Sequence, residues 1–246
     1  MRQYHAYFFD FYGTLAEIHT DETKPAFWKA VAAFYSENGA VYKAEALRER
    51  YLSLCAGEEA RLQRLHPGSA VEPELLNVFR ALYTEKGIDA GPALLTETAR
   101  CFRRRSTTHL RAYAGAAELL QALRAAGKTV VLLSNAQACF TLRELEQLGL
   151  KQCFDQIWIS SQAGFRKPDP AFFRMPLQAL DLDPADCLMI GNDPLCDLQG
   201  AAAVGMDALY IHSALSPRGN PAPNGAVLCL PRMDLRALRR KLMPRG

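Results

Sequence analysis

YFFDFYGTLA, residues 7–16, runs three apolar residues into an acid and sets a glycine and a threonine three and four places after it. Residues 6–9 read as a short strand buried on both faces, and Asp10 stands where that strand would end. Working outward, residues 130–133, 156–159, 187–190 and 208–211 have the same form, each bounded by polar residues or glycine. Helical patterns lie between them: FTLRELEQLGL (140–150), PAFFRMPLQAL (170–180) and DLQGAAAVGM (197–206). A further helix, AAELLQALRAAG (116–127), stops on Gly127, the residue a helix C-terminus favours. Strand–helix alternation with short connections predicts an α/β fold: a Rossmann-like, three-layer core around an open parallel sheet.

Residues 17–111 break this pattern. They contain no comparable strand and read as amphipathic helices: KPAFWKAVAAFYSENG (24–39), KAEALRERYLSLCAGEEARLQRL (43–65), EPELLNVFRALYTEKG (72–87) and PALLTETARCFRRR (92–105). The expected organisation is a core of residues 1–16 and 112–246, with an inserted all-helical cap of residues 17–111. SALSPRGNPAPNGA (213–226) reads as an exposed loop, followed by a short strand at 227–230 and a basic closing helix at 234–243.

The bulk properties exclude several classes. The 246 residues are 49% hydrophobic and 22% charged, enough to bury a real core. A net charge of +3 is too small to argue for nucleic acid or a membrane surface. The dense basic run RCFRRR (100–105) reads either as a solvated helix face or as a phosphate-binding patch. Seven cysteines show no C-x-x-C pair and no histidine at ligand spacing, which argues against a disulfide framework and a structural zinc. No leader-like or membrane-spanning run is visible, so a cytoplasmic protein is expected.

Ligands of an open parallel sheet bind in the crevice at the carboxyl ends of its strands. Asp10, Gly13 and Thr14 follow the first strand, Ser134 and Asn135 the second. Lys167 lies beyond the third, and Asn192, Asp193 and Asp197 follow the fourth. Carboxylates, a hydroxyl, an amide and an ammonium therefore converge on one rim.

These stretches, DFYGTL, LLSNA, RKPDP and IGNDPLCD in that order, resemble the four motifs of the haloacid dehalogenase superfamily of hydrolases. The helical insert lies where that family places its first type of cap. The resemblance implies that Asp10 is a carboxylate nucleophile forming a covalent aspartyl intermediate. Thr14 would then brace the loop, Ser134 would donate to a transferring oxygen, and Lys167 would neutralise the gathered charge. Asn135 and Asp197 complete the catalytic set. Gly13 would let the backbone turn close to the substrate, with neighbouring amides aimed at developing charge.

Two residues divide the family's chemistries. Tyr12 stands where its phosphatases usually carry a second aspartate as acid and base. A phenol, with an ordinary pKa near 10, is a poor base at neutral pH. The family's 2-haloacid dehalogenases look like D-x-Y-G-T-L at this site, and their halide leaving group needs no proton. The fourth motif points the other way. Asp10, Asp193 and Asp197 against Lys167 leave about two uncompensated negative charges, which a divalent cation would relieve. The resemblance implies Mg2+ held by Asp10, the backbone carbonyl of Tyr12, and either Asn192 or Asp193.

The expected function is thus Mg2+-dependent hydrolysis of a small phosphorylated metabolite beneath the cap. The alternatives are a metal-free dehalogenase-like hydrolase and a non-catalytic protein that keeps the fold. No nucleic-acid or membrane partner is expected, and the sequence does not indicate an oligomeric state. His19 reads as a proton donor at the crevice mouth or as an ordinary solvated residue. Trp28, with Phe27 and Phe34, reads as pocket lining or as cap core. Cys196 reads as a functional thiol or as a small core residue.

Overall fold

The computed structural model describes residues 2–219 and 223–243. Strands β1 (Ala6–Phe9), β4 (Thr129–Ser134), β5 (Gln156–Ile159), β6 (Cys187–Gly191), β7 (Asp207–Ile211) and β8 (Leu228–Leu230) form one sheet in the order β5-β4-β1-β6-β7-β8. Every adjacent pair is parallel. β1 lies inside the sheet, and all four of its residues are fully buried. That burial explains why AYFF is apolar throughout rather than alternating.

Helices α5 (Ala116–Ala125) and α10 (Leu235–Leu242) cover one face of the sheet, and Leu119, Leu120, Leu235 and Leu238 pack there against Tyr7, Phe9 and Leu132. On the other face, Phe172 and Phe173 of α8 (Pro170–Ala179) and Ala201 of α9 (Gly200–Ala202) pack on Phe8, Val131 and Met189. This is the expected three-layer α/β core. Among the described residues, no helix is long and apolar enough to cross a membrane. Part of the loop expected at 213–226 falls outside the described residues.

The insert holds helices α1 (Pro25–Glu37), α2 (Ala44–Leu65), α3 (Leu75–Thr84) and α4 (Pro92–Ser106). They share a core in which Trp28, Tyr51, Phe79 and Phe102 meet, with Phe140 reaching in from α6 (Ala138–Gln147) of the sheet unit. The insert is not all-helical. Strand β2 (Ala16–Thr20) pairs antiparallel with β3 (Thr107–Ala112), so a two-stranded ribbon carries the chain out to the helices and back. The sequence hid this ribbon because each strand is short, only Ala16 of the two is buried, and its partner lies some ninety residues away.

The insert touches the core at a second place. Val71 bridges Phe165, Glu72 N donates to Gly164 O (3.0 Å), and Arg166 N donates to Ala70 O (2.8 Å). Gln137, at the start of α6, holds the same loop by accepting from Leu75 N (2.9 Å) and donating to Pro73 O (2.8 Å). The loop between α2 and α3 is therefore fastened beside the segment that carries Lys167.

Candidate active site

The parallel register aligns Phe9 with Leu132 on one side and Ile190 on the other. Asp10, Ser134 and Asn192 consequently leave three adjacent strands at nearly one level. Lys167 arrives on the loop after α7 (Ser160–Ala163), which follows β5. The amide of Asn135 fixes this loop: Oδ1 accepts from Lys167 N (2.7 Å) and Nδ2 donates to Lys167 O (2.8 Å). Asn135 thus spends its side chain on the lysine's own peptide groups, which is a positioning role.

Lys167 is 2% exposed, and its Nζ donates to Asp10 Oδ1 (2.8 Å) and Asp197 Oδ1 (2.7 Å). Burial opposes its charge, but the two carboxylates outweigh burial and hold the ammonium protonated above its ordinary range. Asp197 is pushed up to about 6, first by burial and then by the Asp10 charge, against the pull of Lys167. Its Oδ2 accepts from Asp193 N (2.9 Å). Gly191 makes this approach possible, since a Cβ there would lie 2.1 Å from Asp197 Oδ2.

Thr14 Oγ1 donates within 3.3 Å of Asp10 Oδ2, bracing the loop that carries Asp10. Ser134 is buried, and its Oγ has no hydrogen-bond partner among the described residues. A buried hydroxyl left unpaired at a strand end is a place for a substrate oxygen. The turn after Asp10 uses the Gly13 N–H on Ala16 O (2.7 Å) and the Thr14 N–H on Phe11 O (3.2 Å). Among the described residues the N–H groups of Phe11 and Tyr12 make no hydrogen bond, so these two, rather than those of Gly13 and Thr14, are free to face developing charge.

Asn192 is wedged under the turn. A Cβ on Gly13, whose φ is +87°, would lie 2.4 Å from the Asn192 amide. One terminal atom of that amide lies 3.2 Å from Tyr12 O, 3.2 Å from Asp10 Oδ2 and 3.3 Å from Thr14 Oγ1. With nitrogen in that place, the amide donates to these acceptors. With oxygen there, one carboxylate, one carbonyl and one amide oxygen converge, a donor set that suits Mg2+ once waters and phosphate oxygens complete it. Asp193 is directed elsewhere: its Oδ1 accepts from Leu195 N (2.8 Å) and Cys196 N (2.9 Å), capping the π-type turn Pro194–Gln199. Asp193 Oδ1 is thus held at the turn, while Asp10 and Asp197 are the carboxylates that hydrogen-bond Lys167.

Tyr12 does not present its phenol to the crevice. The hydroxyl donates to Glu144 Oε2 and lies 3.0 Å from Thr141 Oγ1, both on α6. Arg103 of α4 closes the cluster, donating from Nε to Glu144 Oε1 (2.6 Å) and from Nη2 to the Tyr12 hydroxyl (3.2 Å). Burial and then the Glu144 charge drive the phenol well above its ordinary pKa, so it is a poor proton source for the crevice. Glu144 and Thr141 carry no motif in the sequence, and Arg103 stands out only as one of a run.

The other candidates lie apart. His19 hydrogen-bonds Thr108 across the exposed ribbon (2.7 Å). Trp28 is buried in the cap core against Phe27 and Tyr51, its Nε1 donating to Glu22 O (2.7 Å). Burial first, then Asp193 and Asp197, pushes the Cys196 thiol up to about 12, which keeps it protonated.

Residues 4–205 match the family model described as haloacid dehalogenase-like hydrolase. A phosphoserine phosphatase of Thermus thermophilus is 32% identical over 140 residues, 57% of this chain and 55% of that protein. The chain thus spans about half the length of this curated relative, and less of others it matches. Two solved structures share the fold. A phosphatase from Thermococcus onnurineus superposes with a TM-score of 0.60 at 22% identity, covering 96% of this chain and 97% of its own. An L-2-haloacid dehalogenase superposes with a TM-score of 0.58 at 23% identity, covering 98% and 100%.

Proposed function

Because the chain belongs to the haloacid dehalogenase-like hydrolase family, we propose that it is a phosphoric monoester hydrolase of a small phosphorylated metabolite. In this reading Asp10 attacks phosphorus, the P–O bond breaks so that the leaving oxygen departs as an anion and takes a proton from solvent, and water then releases phosphate from the aspartyl-phosphate. The observation that carries the reading is the convergence on Asp10: Lys167 at 2.8 Å, the unpaired Ser134 hydroxyl, and the Asn192 amide set against Tyr12 O and Asp10 Oδ2. The phosphatase name of the Thermus thermophilus relative supports the same class.

Lys167 neutralises the charge between nucleophile and phosphoryl group, while Asp197 and Asn135 hold it in place. Ser134 Oγ and the N–H groups of Phe11 and Tyr12 donate to phosphoryl oxygens. Mg2+, held by Asp10, the Tyr12 carbonyl and the Asn192 amide oxygen, would add positive charge against the transferring group. The insert, whose α2–α3 loop is fastened beside the Lys167 segment, favours a small substrate. A cytoplasmic location and inserted-cap boundaries of 17–111 belong to the same proposal.

Tyr12 supports one other reading. With its phenol bound to Glu144, the crevice lacks a proton donor two places after the nucleophile, which a departing halide would not need. A single screen separates the two. p-Nitrophenyl phosphate, acetyl phosphate, simple alkyl phosphates and 2-chloropropionate are each incubated with Mg2+ and with EDTA. The phosphatase reading expects Mg2+-dependent phosphate release, with the aryl and acyl esters ahead because their leaving groups are already stable anions. Halide release in EDTA without phosphate release would establish the dehalogenase instead.

A further inference from the structure

We infer that the arginine run at the end of α4 forms, with α6, a second ligand site for a phosphorylated small molecule carrying a flat apolar group. A cavity of about 630 Å3 lies between α1 and α4 of the insert and α6 of the core. It has the size of a small-molecule site. Asp10, Ser134, Lys167 and Asn192 do not line it, so it is separate from the crevice.

Its charge is one-sided. Five arginines border it (Arg100, Arg103, Arg104, Arg105 and Arg143) against Glu37, Glu97 and Glu144. Arg100 pairs with Glu97 and Arg103 with Glu144. Arg104, Arg105 and Arg143 are exposed and make no ion pair among the described residues. A solvated helix face would spread such charges outward. Here α4 and α6 bring them to the border of one concavity, where like charges repel until an anion joins them. A guanidinium fork matches phosphate oxygens two at a time, which makes a phosphoryl group the fitting partner.

The remaining wall is apolar, built from Ala30, Ala33, Phe34 and Phe140. The Phe140 ring already faces the Arg103 guanidinium at 5.1 Å. Phe34 is half-buried and has no aromatic partner among the described residues, leaving its ring free for a flat group. A ligand of nucleotide size would place its phosphates on Arg104, Arg105 and Arg143 and its ring on Phe34. It would span α4 and α6 and so bridge insert and core.

The test uses the full chain and ADP as the probe, followed by calorimetry in EDTA so that no metal-dependent turnover intervenes. Wild type should bind ADP saturably, more weakly as salt rises. The Arg104→Glu/Arg143→Glu double variant should lose at least tenfold in affinity, with its turnover of p-nitrophenyl phosphate unchanged. Phe34→Ala should weaken binding severalfold. Arg104→Gln/Arg143→Gln, checked for folding by circular dichroism, substitutes if the charge reversal does not fold. The inference is overturned if wild type shows no saturable binding at millimolar ADP. It is equally overturned if a folded double variant binds ADP as tightly as wild type, which would place the nucleotide in the Asp10 crevice.

Discussion

Two buried clusters of opposite charge meet near the start of this chain, one through Asp10 and the other through Tyr12. Around Asp10, Lys167 joins two carboxylates, and every partner leaves a strand end or an adjoining loop of the same sheet. Around Tyr12, Glu144 belongs to the core while Arg103 belongs to the insert, next to the contact of Phe140 with the cap aromatics. The first cluster is held by a rigid sheet and exists wherever the core is folded. The second exists only while the insert sits in this position. A carboxylate and a cation at similar separations thus belong to the proposed catalytic site in one case and clasp the insert to α6 in the other. Tyr12 links them, since its carbonyl faces Asn192 while its hydroxyl lies in the clasp.

The largest effect is expected at Asp10. Asp10→Asn should reduce turnover of p-nitrophenyl phosphate by roughly 10⁴-fold or more while the thermal midpoint stays near that of wild type. Retained turnover would remove Asp10 as the nucleophile. Lys167→Met should also abolish activity, but it should destabilise the fold by about 3–5 kcal/mol, because Asp10 and Asp197 would be left facing each other without their cation.

Metal binding sharpens the same side. Asn192→Asp adds a carboxylate beside Asp10 Oδ2 and Tyr12 O and should tighten Mg2+ binding by about tenfold or more, read by calorimetry independently of activity. Unchanged affinity would place the metal, if one binds, elsewhere.

The clasp should respond less and differently. Arg103→Met should cost about 2 kcal/mol, since Glu144 is 4% exposed and would keep only its Tyr12 and other α6 contacts. A double-mutant cycle with Glu144→Gln should give a coupling of about 1–3 kcal/mol, and faster amide exchange should be confined to α4 and α6. Additive effects would show that the pair is not a unit.

The smallest effect is expected at Tyr12. Tyr12→Phe removes the hydroxyl's contacts with Glu144, Thr141 and Arg103 but leaves the Arg103–Glu144 pair in place, and should cost about 1 kcal/mol net. Turnover should stay within about threefold of wild type, because the phenol faces the clasp. Loss of a working proton donor would instead cost about 10²–10⁴-fold, and a fall of that size would return Tyr12 to the chemistry.

The sequence by itself determined the sheet and its rim. Buried parallel strands are short apolar runs whose ends lie at the carboxyl edge, so Asp10 and Ser134 at strand ends, and Lys167 and Asp197 in the segments that follow strands, could be grouped from their order along the chain. Hydrophobic periodicity likewise marked the four helices of the insert. Other features depended on partners that no local pattern specifies. The β2–β3 ribbon pairs residues about ninety positions apart, and both strands are too exposed to show a buried signature. That Asp193 caps the π-type turn while Asn192 lies under the Gly13 turn likewise followed from packing. The direction of Tyr12 was decided by Glu144 and Arg103, 132 and 91 residues away, which offered its hydroxyl partners on the seam. Strand ends are placed by local chain geometry. The aim of a side chain is settled by whichever distant groups packing brings within hydrogen-bonding reach.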